Sequence, residues 1–144
     1  MNSSSEGESQ LAQRLVGAAH SVEARLETAL EPLGLSLAKV GVLSRLVEAG
    51  EPLPLRTLAE RSACVRSNIT QLVDRLEAEK LVARLPDPED RRSIRAYVTP
   101  EGRARHELAL GALRTAERDA FAHLSRAQRE SLEELALALL QRPL

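Results

Sequence analysis

The chain has 144 residues, enough for one domain with extensions, and its 20 basic and 21 acidic residues nearly cancel. This balance excludes a uniformly basic nucleic-acid binder, so any anionic partner has to meet a local basic patch. Aromatic residues make up 1% of the chain, too few for the stacking platforms that hold single-stranded nucleic acid.

Several classes of site are not indicated by the sequence. The single cysteine, Cys64, cannot form an internal disulfide, and the cysteine and the three histidines lack a metal-ligand spacing. There is no long apolar run, and the first residues lack the basic and apolar regions of a secretory signal. No nucleophile–base set is recognisable. We therefore expect a cytoplasmic protein that is not an enzyme, does not enter a membrane and needs neither metal nor cofactor.

The N-terminal part of the chain predicts a short tail and two helices. Apart from Met1 and Asn2, residues 1–9 are Ser, Gly and Glu with almost nothing to bury, which predicts disorder. Apolar residues then recur at three- and four-residue steps, which predicts an amphipathic helix within residues 10–34. Ser36 is a candidate N-cap for a second helix that ends at the sequence AGEP. The stripe of the first helix contains Leu11, Leu15, Ala18, Ala19, Val22, Leu26 and Leu30.

The middle of the chain has the pattern of a winged helix-turn-helix. Leu55, Leu58 and Ala59 face inward on a short helix, and after a break near residues 62–65 a second helix follows. Two short helices joined by a tight turn are typical of the helix-turn-helix. The segments LVARLP and SIRAYVT then have strand character, with an acidic turn between them, which predicts the wing. The stripe of the second helix consists of Ile69, Leu72, Val73 and Leu76.

The C-terminal part predicts two more helices. Thr99 is a candidate cap with Pro100 in the first turn, and Ser125 is a candidate cap for the last helix. The expected fold is therefore mainly α with a small β wing. A winged helix-turn-helix lobe at residues 35–100 is flanked by dimerisation helices at residues 10–34 and 101–144. The apolar stripes of the first helix and of the last two helices would expose too much apolar surface in a lone chain, so a homodimer is expected.

Two adjoining segments resemble the MarR family of regulators: LAERSACVRSNITQLVDRLEAEKLVAR and DPEDRRSIRAYVTPEG. The order of elements also matches, and the resemblance covers nearly the whole chain after residue 10. It implies a homodimeric transcription regulator on a pseudo-palindromic operator; many members release DNA when a small, often aromatic, ligand binds, and some respond to cysteine oxidation. The chain departs from the family at Val65, where a small polar cap is common, and at Ser62 and Ala63, where a Leu-Gly pair often ends the first helix.

The second helix of the motif presents short polar side chains opposite its apolar stripe. Side chains of this kind read base edges in a major groove, because Asn and Gln pair with adenine and Arg with guanine. An ordinary solvated face has the same composition, but the wing that follows favours contact with DNA. The residues of this helix predicted to bind DNA are Arg66, Ser67, Asn68, Thr70, Gln71 and Arg75.

The acidic turn contains a pair of arginines where the wing turns back. Arg91 and Arg92 are predicted to reach a narrow minor groove, whose negative potential attracts guanidinium groups. The neighbouring acids would repel phosphate, so at least one of them is expected to face inward; Asp87 and Asp90 are predicted to support the wing. The resemblance implies that the acid before the arginines and one arginine buttress the wing while the other arginine touches DNA. The sequence does not decide between the two arginines.

For the remaining side chains the sequence leaves alternatives open. Arg84 and Arg95, on the wing strands, are equally well explained as phosphate contacts or as surface residues. Cys64 occupies an apolar position and is interpreted as a small buried side chain, with an oxidation sensor as the alternative. The histidines are expected at the surface or in the dimer interface, although one of them could line an effector cavity; they are His20, His106 and His123.

The sequence as a whole predicts a repressor that binds double-stranded DNA as a homodimer, and the resemblance implies that a small-molecule effector of unknown identity releases it. The alternative is a winged-helix module for protein–protein interaction, an antagonist of another regulator that does not bind DNA. The polar helix face and the Arg91–Arg92 pair favour the first interpretation. The operator, the regulated genes and the direction of regulation are not encoded in any recognisable pattern.

Overall fold

The chain is described by a computed structural model that covers residues 3–62 and 66–141. The described part is mainly helical with one small sheet, as the sequence predicts. Its helices are α1 (Ser3–Leu30), α2 (Leu37–Ala49), α3 (Leu55–Arg61), α4 (Arg66–Ala78), α5 (Pro100–Ala120) and α6 (Arg126–Leu140). Its strands are β1 (Leu53–Pro54), β2 (Val82–Pro86) and β3 (Ile94–Val98).

The sheet is antiparallel with the order β1-β3-β2. Strands β2 and β3 form the predicted wing, with Val82 opposite Val98 and Pro86 opposite Ile94. Strand β1 pairs Leu53 with Ala96 and joins the sheet to the segment before α3. A strand of two residues has too few positions to show an alternation, which explains why the sequence does not reveal it.

The chain divides into two compact units. We call Leu26–Leu113 the winged lobe, and Met1–Arg25 with Arg114–Leu144 the terminal unit. The lobe predicted from the sequence, residues 35–100, is shorter at both ends than the winged lobe of the structure. The reason is that the end of α1 and the first half of α5 contribute to the core of the lobe, where Leu30 and Ala109 are fully buried.

The core of the winged lobe is aliphatic, as the composition predicts. The inward-facing positions of α3 and the stripe of α4 are confirmed, with Leu55 and Leu72 only partly buried. The buried residues come from every helix and strand of the lobe: Leu30, Leu35, Val40, Val42, Leu43, Leu46, Leu53, Leu58, Ala59, Ile69, Val73, Leu76, Leu81, Val82, Ala96, Val98 and Ala109.

The first helix extends further towards the N-terminus than expected. Residues 3–9, predicted to be disordered, are part of α1. Propagating an existing helix adds one hydrogen bond per residue without a new nucleation cost, so a polar segment can continue a helix that packing has already started. Met1 and Asn2 lie outside the described residues.

Helix α2 begins and ends where the sequence predicts. The Oγ of Ser36 accepts a hydrogen bond from the backbone N–H of Lys39 at 3.2 Å, which confirms Ser36 as the N-cap. Gly50 ends the helix with a φ of 66°, a left-handed conformation that glycine adopts without steric cost.

The end of α4 and the start of α5 are joined by a set of short contacts. Lys80 has a φ of 63°, and the N–H of Leu81 donates to the carbonyl of Leu76 at 2.9 Å, a closure typical of helix ends. Thr99 donates to the carbonyl of Lys80 at 2.8 Å through its hydroxyl and accepts from the N–H of Gly102 at 3.0 Å. A Cβ on Gly102 would lie 2.0 Å from the carbonyl oxygen of Leu81, so only glycine fits. The segment VTPEG therefore holds the end of the wing and the start of α5 against the end of α4.

The terminal unit ends in a well-capped but exposed helix. Ser125 and Gln128 form a reciprocal capping box at the start of α6, which confirms the predicted cap. Each described side chain of α6 is exposed, including Leu132 and Leu135. Among the described residues, no helix combines the length and apolar character needed to cross a membrane.

Candidate nucleic-acid interface

Helix α4 turns its apolar stripe into the lobe and its polar residues outward. Ile69, Val73 and Leu76 are fully buried. The predicted contact residues Asn68, Thr70, Gln71 and Arg75 all lie on the exposed side of the helix. Arg66 and Ser67 belong to the first turn of α4, but their side chains are outside the described part. Cys64 and Val65 also lie outside it, so the predictions for these two residues stay predictions.

The Arg84 side chain reaches from the wing strand β2 to helix α4. Its Nη2 forms an ion pair with Asp74, and its Nη1 donates to Oε1 of Glu77 at 3.2 Å. The Nη2 also lies 3.4 Å from the backbone carbonyl oxygen of Thr70. The sequence leaves a phosphate contact and a surface position open for Arg84, whereas in the structure its guanidinium group is engaged by residues of α4.

The Asp87 carboxylate turns inward at the start of the wing turn. Its Oδ1 accepts a hydrogen bond from the backbone N–H of Glu89 at 3.0 Å and lies 3.1 Å from Nη2 of Arg95. The Glu89 hydrogen bond lowers the pKa of Asp87, burial opposes this, and the charge of Arg95 lowers the pKa further. Arg95 was not predicted as this partner. The hairpin register could have indicated it, because Arg95 of β3 lies opposite Leu85, two residues before Asp87.

Asp90 shapes the turn itself. Its Oδ1 accepts a hydrogen bond from the backbone N–H of Arg92 at 2.9 Å, and its carbonyl accepts from the N–H of Ser93 at 3.0 Å. Arg91 and Arg92 are exposed, and neither guanidinium has an ion-pair partner within the described residues. The carboxylates of Asp87 and Asp90 thus accept backbone hydrogen bonds within the turn, while two guanidinium groups are presented to solvent.

The tip of the wing therefore exposes two guanidinium groups, next to the exposed Glu89 and Asp90, on a chain of formal net charge −1. Arg91 and Arg92 extend beyond the sheet, and the exposed amides of Asn68 and Gln71 lie on the helix that the wing adjoins. Guanidinium groups bind phosphates and narrow minor grooves, and side-chain amides pair with base edges. The two elements together offer the two kinds of contact that recognition of a DNA sequence requires.

His106 is the buried histidine of the lobe. It lies on α5, and its Nε2 is 2.8 Å from the Oγ of Ser44 on α2. Burial lowers the pKa of His106, while the nearby charges of Glu48 and Glu107 act in the opposite direction. The expectation of a surface or interface position is wrong for this residue, whereas His20 on α1 and His123 after α5 are exposed. In the described part of the chain, no three His, Cys, Asp or Glu side chains are grouped to hold a metal ion.

The architecture defines the class of the protein as a winged helix-turn-helix. The family model named MarR family matches residues 35–94, from the segment before α2 to the start of β3. A probable transcriptional regulator from Pseudomonas aeruginosa, known from its crystal structure, is 31% identical, with a TM-score of 0.79 and coverage of 92% of this chain and 98% of that one. The chain belongs to the MarR family.

Two further similarities support this membership. A transcriptional regulator of the MarR family from Rhodococcus sp. RHA1 is 27% identical, with a TM-score of 0.76 and 96% of both chains covered. The HTH-type transcriptional repressor MdtR of Bacillus subtilis (strain 168) is 33% identical over 89 residues, which are 62% of this chain and 57% of MdtR. The chain spans about half the length of the curated relatives it matches, 44% of one and 57% of the other.

Proposed function

We propose that this chain is a transcriptional repressor that binds a specific double-stranded DNA site as a homodimer. The observation that carries the proposal is the wing turn, where Asp87 is held inward by Arg95 while Arg91 and Arg92 are exposed. Two exposed guanidinium groups at the tip of a hairpin are suited to bind phosphate or to enter a narrow minor groove. The exposed Asn68 and Gln71 on the adjoining α4 add the groups that read bases.

The repressor activity and the dimer have separate support. MdtR is named a repressor, and this supports the direction of regulation. The exposed leucines of α1 and α6 support the dimer, because such a surface is stabilised when a second copy covers it. A two-fold dimer carries two recognition helices, so its half-sites would lie about 10 base pairs apart. Release by a small molecule, a cytoplasmic location and the lack of an enzymatic activity belong to the same proposal.

The wing is tested by replacing Arg91 and Arg92 together with Ala. The DNA is selected from genomic fragments that include the region upstream of the chain's own gene. The affinity should fall for all sequences, and the slope of log K against log salt should decrease by about one to two per wing, since each phosphate contact contributes ~0.9. The double variant Arg45→Ala with Arg103→Ala is the matched control, because it removes the same charge from exposed positions on α2 and α5.

The recognition helix is tested on the same fragments. Asn68→Ala and Gln71→Ala should each weaken binding to the selected site by about 1–3 kcal/mol and leave non-specific binding almost unchanged. Wild-type protein that retards no fragment at low salt, while forming a stable complex with another regulator, would instead support the protein–protein module.

A further inference from the structure

Arg84 makes a three-point contact that joins the wing to the recognition helix. Its guanidinium group meets the carboxylates of Asp74 and Glu77 and approaches the backbone carbonyl of Thr70. We call these four residues the Arg84 clamp. The acceptors lie on successive turns of α4, and the donor lies on β2, so the clamp ties the two elements that are proposed to touch DNA.

The Arg84 side chain is held rather than mobile at the surface. Its side chain is 20% exposed, and its Nε is buried without a hydrogen-bond partner in the described part of the chain. The flat guanidinium can serve two carboxylates and a carbonyl at once, whereas a lysine ammonium is a single point charge on a flexible stem. With its donors engaged in this way, Arg84 is poorly placed to bind a phosphate as well.

The position of the acids gives the clamp a consequence for recognition. Asp74 follows Gln71 on the same row of α4, roughly 4.5 Å further along the helix axis. Gln71 can read a base only if α4 enters the major groove at the right angle while the wing makes its own contact with the DNA. The angle between α4 and β2 therefore decides whether both contacts form together, and the clamp spans that angle.

We propose that Arg84 is a positioning residue for DNA recognition: with Asp74 and Glu77 it fixes α4 relative to the wing, and it does not itself contact phosphate. This inference rests on the proposed function. It predicts that specificity, the ratio of affinities for the selected site and for random DNA, depends on the clamp as a unit. General attraction to phosphate largely cancels in this ratio, because both DNAs carry the same backbone charge.

The experiment compares this ratio in four proteins at one salt concentration: wild type, Arg84→Gln, Arg84→Lys and the double variant Asp74→Asn with Glu77→Gln. The ratio should fall on the order of tenfold in each variant, comparable to the loss of one base contact. The ratio of Arg84→Lys should fall although this variant keeps the positive charge. The ratio of the double variant should fall although two negative charges are removed from the helix that approaches DNA.

A triple variant, Arg84→Gln with Asp74→Asn and Glu77→Gln, completes the cycle. Because the residues act as a unit, its ratio should be close to that of Arg84→Gln alone rather than the product of the separate losses. Arg45→Gln is the control, since it breaks a comparable arginine–glutamate pair within α2, and it should leave the ratio unchanged. Thermal unfolding of each variant separates a loss of fold, which lowers both affinities, from a loss of specificity.

Three results would overturn the inference. Equal losses on specific and random DNA in Arg84→Gln, with a salt slope reduced by ~0.9 per chain, would make Arg84 a phosphate contact. Wild-type specificity in Arg84→Lys would show that a positive charge at this position is enough and that the shape of the guanidinium group does not matter. An unchanged or higher ratio in the Asp74→Asn, Glu77→Gln variant would show that the acids do not position α4. If wild type binds no DNA at all, the proposed function fails first and the inference fails with it.

Discussion

The winged lobe and the terminal unit hold their apolar residues in opposite ways. The lobe encloses a continuous aliphatic core in which Leu43, Leu58 and Val73 are almost fully buried. In the terminal unit, α6 has no buried residue among those described, and Leu135 is 63% exposed. The lobe therefore has what it needs to fold within one chain, whereas the terminal helices gain most of their stability only when another surface covers them.

The largest expected effect comes from placing a charge on α6. Leu135→Glu should dissociate the proposed dimer, because each copy loses a buried aliphatic side chain worth ~1.5–3 kcal/mol, or roughly 3–6 kcal/mol per dimer. Sedimentation should show monomers, and circular dichroism should show an intact lobe. Arg126→Gln, at a polar position of the same helix, should leave the dimer in place. Wild type that sediments as a monomer at micromolar concentration would remove the basis of this prediction.

A smaller effect is expected in the lobe, and it should not depend on protein concentration. Leu58→Ala should lower the free energy of unfolding by about 2–5 kcal/mol, because it leaves a cavity in a closed core. Leu108→Ala, at a residue of the lobe that is 60% exposed, should change it by less than about 0.5 kcal/mol. Similar values for the two variants in denaturant titrations would contradict the contrast between core and surface.

The smallest effect is a dependence of lobe stability on pH through His106. Because the pKa of His106 is lowered in the folded protein, the unfolded chain takes up this proton first as the pH falls through about 6.5. The contribution of neutral His106 is complete above that pH and is lost below it, with a slope of at most ~1.4 kcal/mol per pH unit.

His106→Gln can keep a hydrogen bond to Ser44 and cannot titrate, so it should flatten the stability profile between about pH 7 and pH 5. The control is His20→Gln, which replaces an exposed histidine and should keep the wild-type slope. A slope that persists in His106→Gln would assign the pH dependence to other groups.

The elements that depend on near neighbours in the chain were predictable. The caps Ser36 and Ser125 bond to backbone three residues away, and the stripe of Ile69, Val73 and Leu76 repeats with the helical period. The exposed positions of Asn68 and Gln71 follow from the same period. Their contact with bases stays a prediction, because exposure alone is shared with any solvated helix face.

The contacts between distant segments needed the tertiary structure. His106 meets Ser44 across 62 residues, and the close approach of Gly102 to Leu81 depends on where α4 ends and α5 begins. For Arg84 the sequence left a phosphate contact and a surface position equally open, and only the path of the chain placed it beside Asp74. Local hydrogen bonds and helical periodicity depend on residues a few positions apart, so most of the helices, the wing and the family could be predicted from residue patterns alone. The pairing of charges depends on which helices and strands pack together, so the contacts of Arg84 and Arg95 and the exposure of Arg91 and Arg92 emerged only from the folded chain.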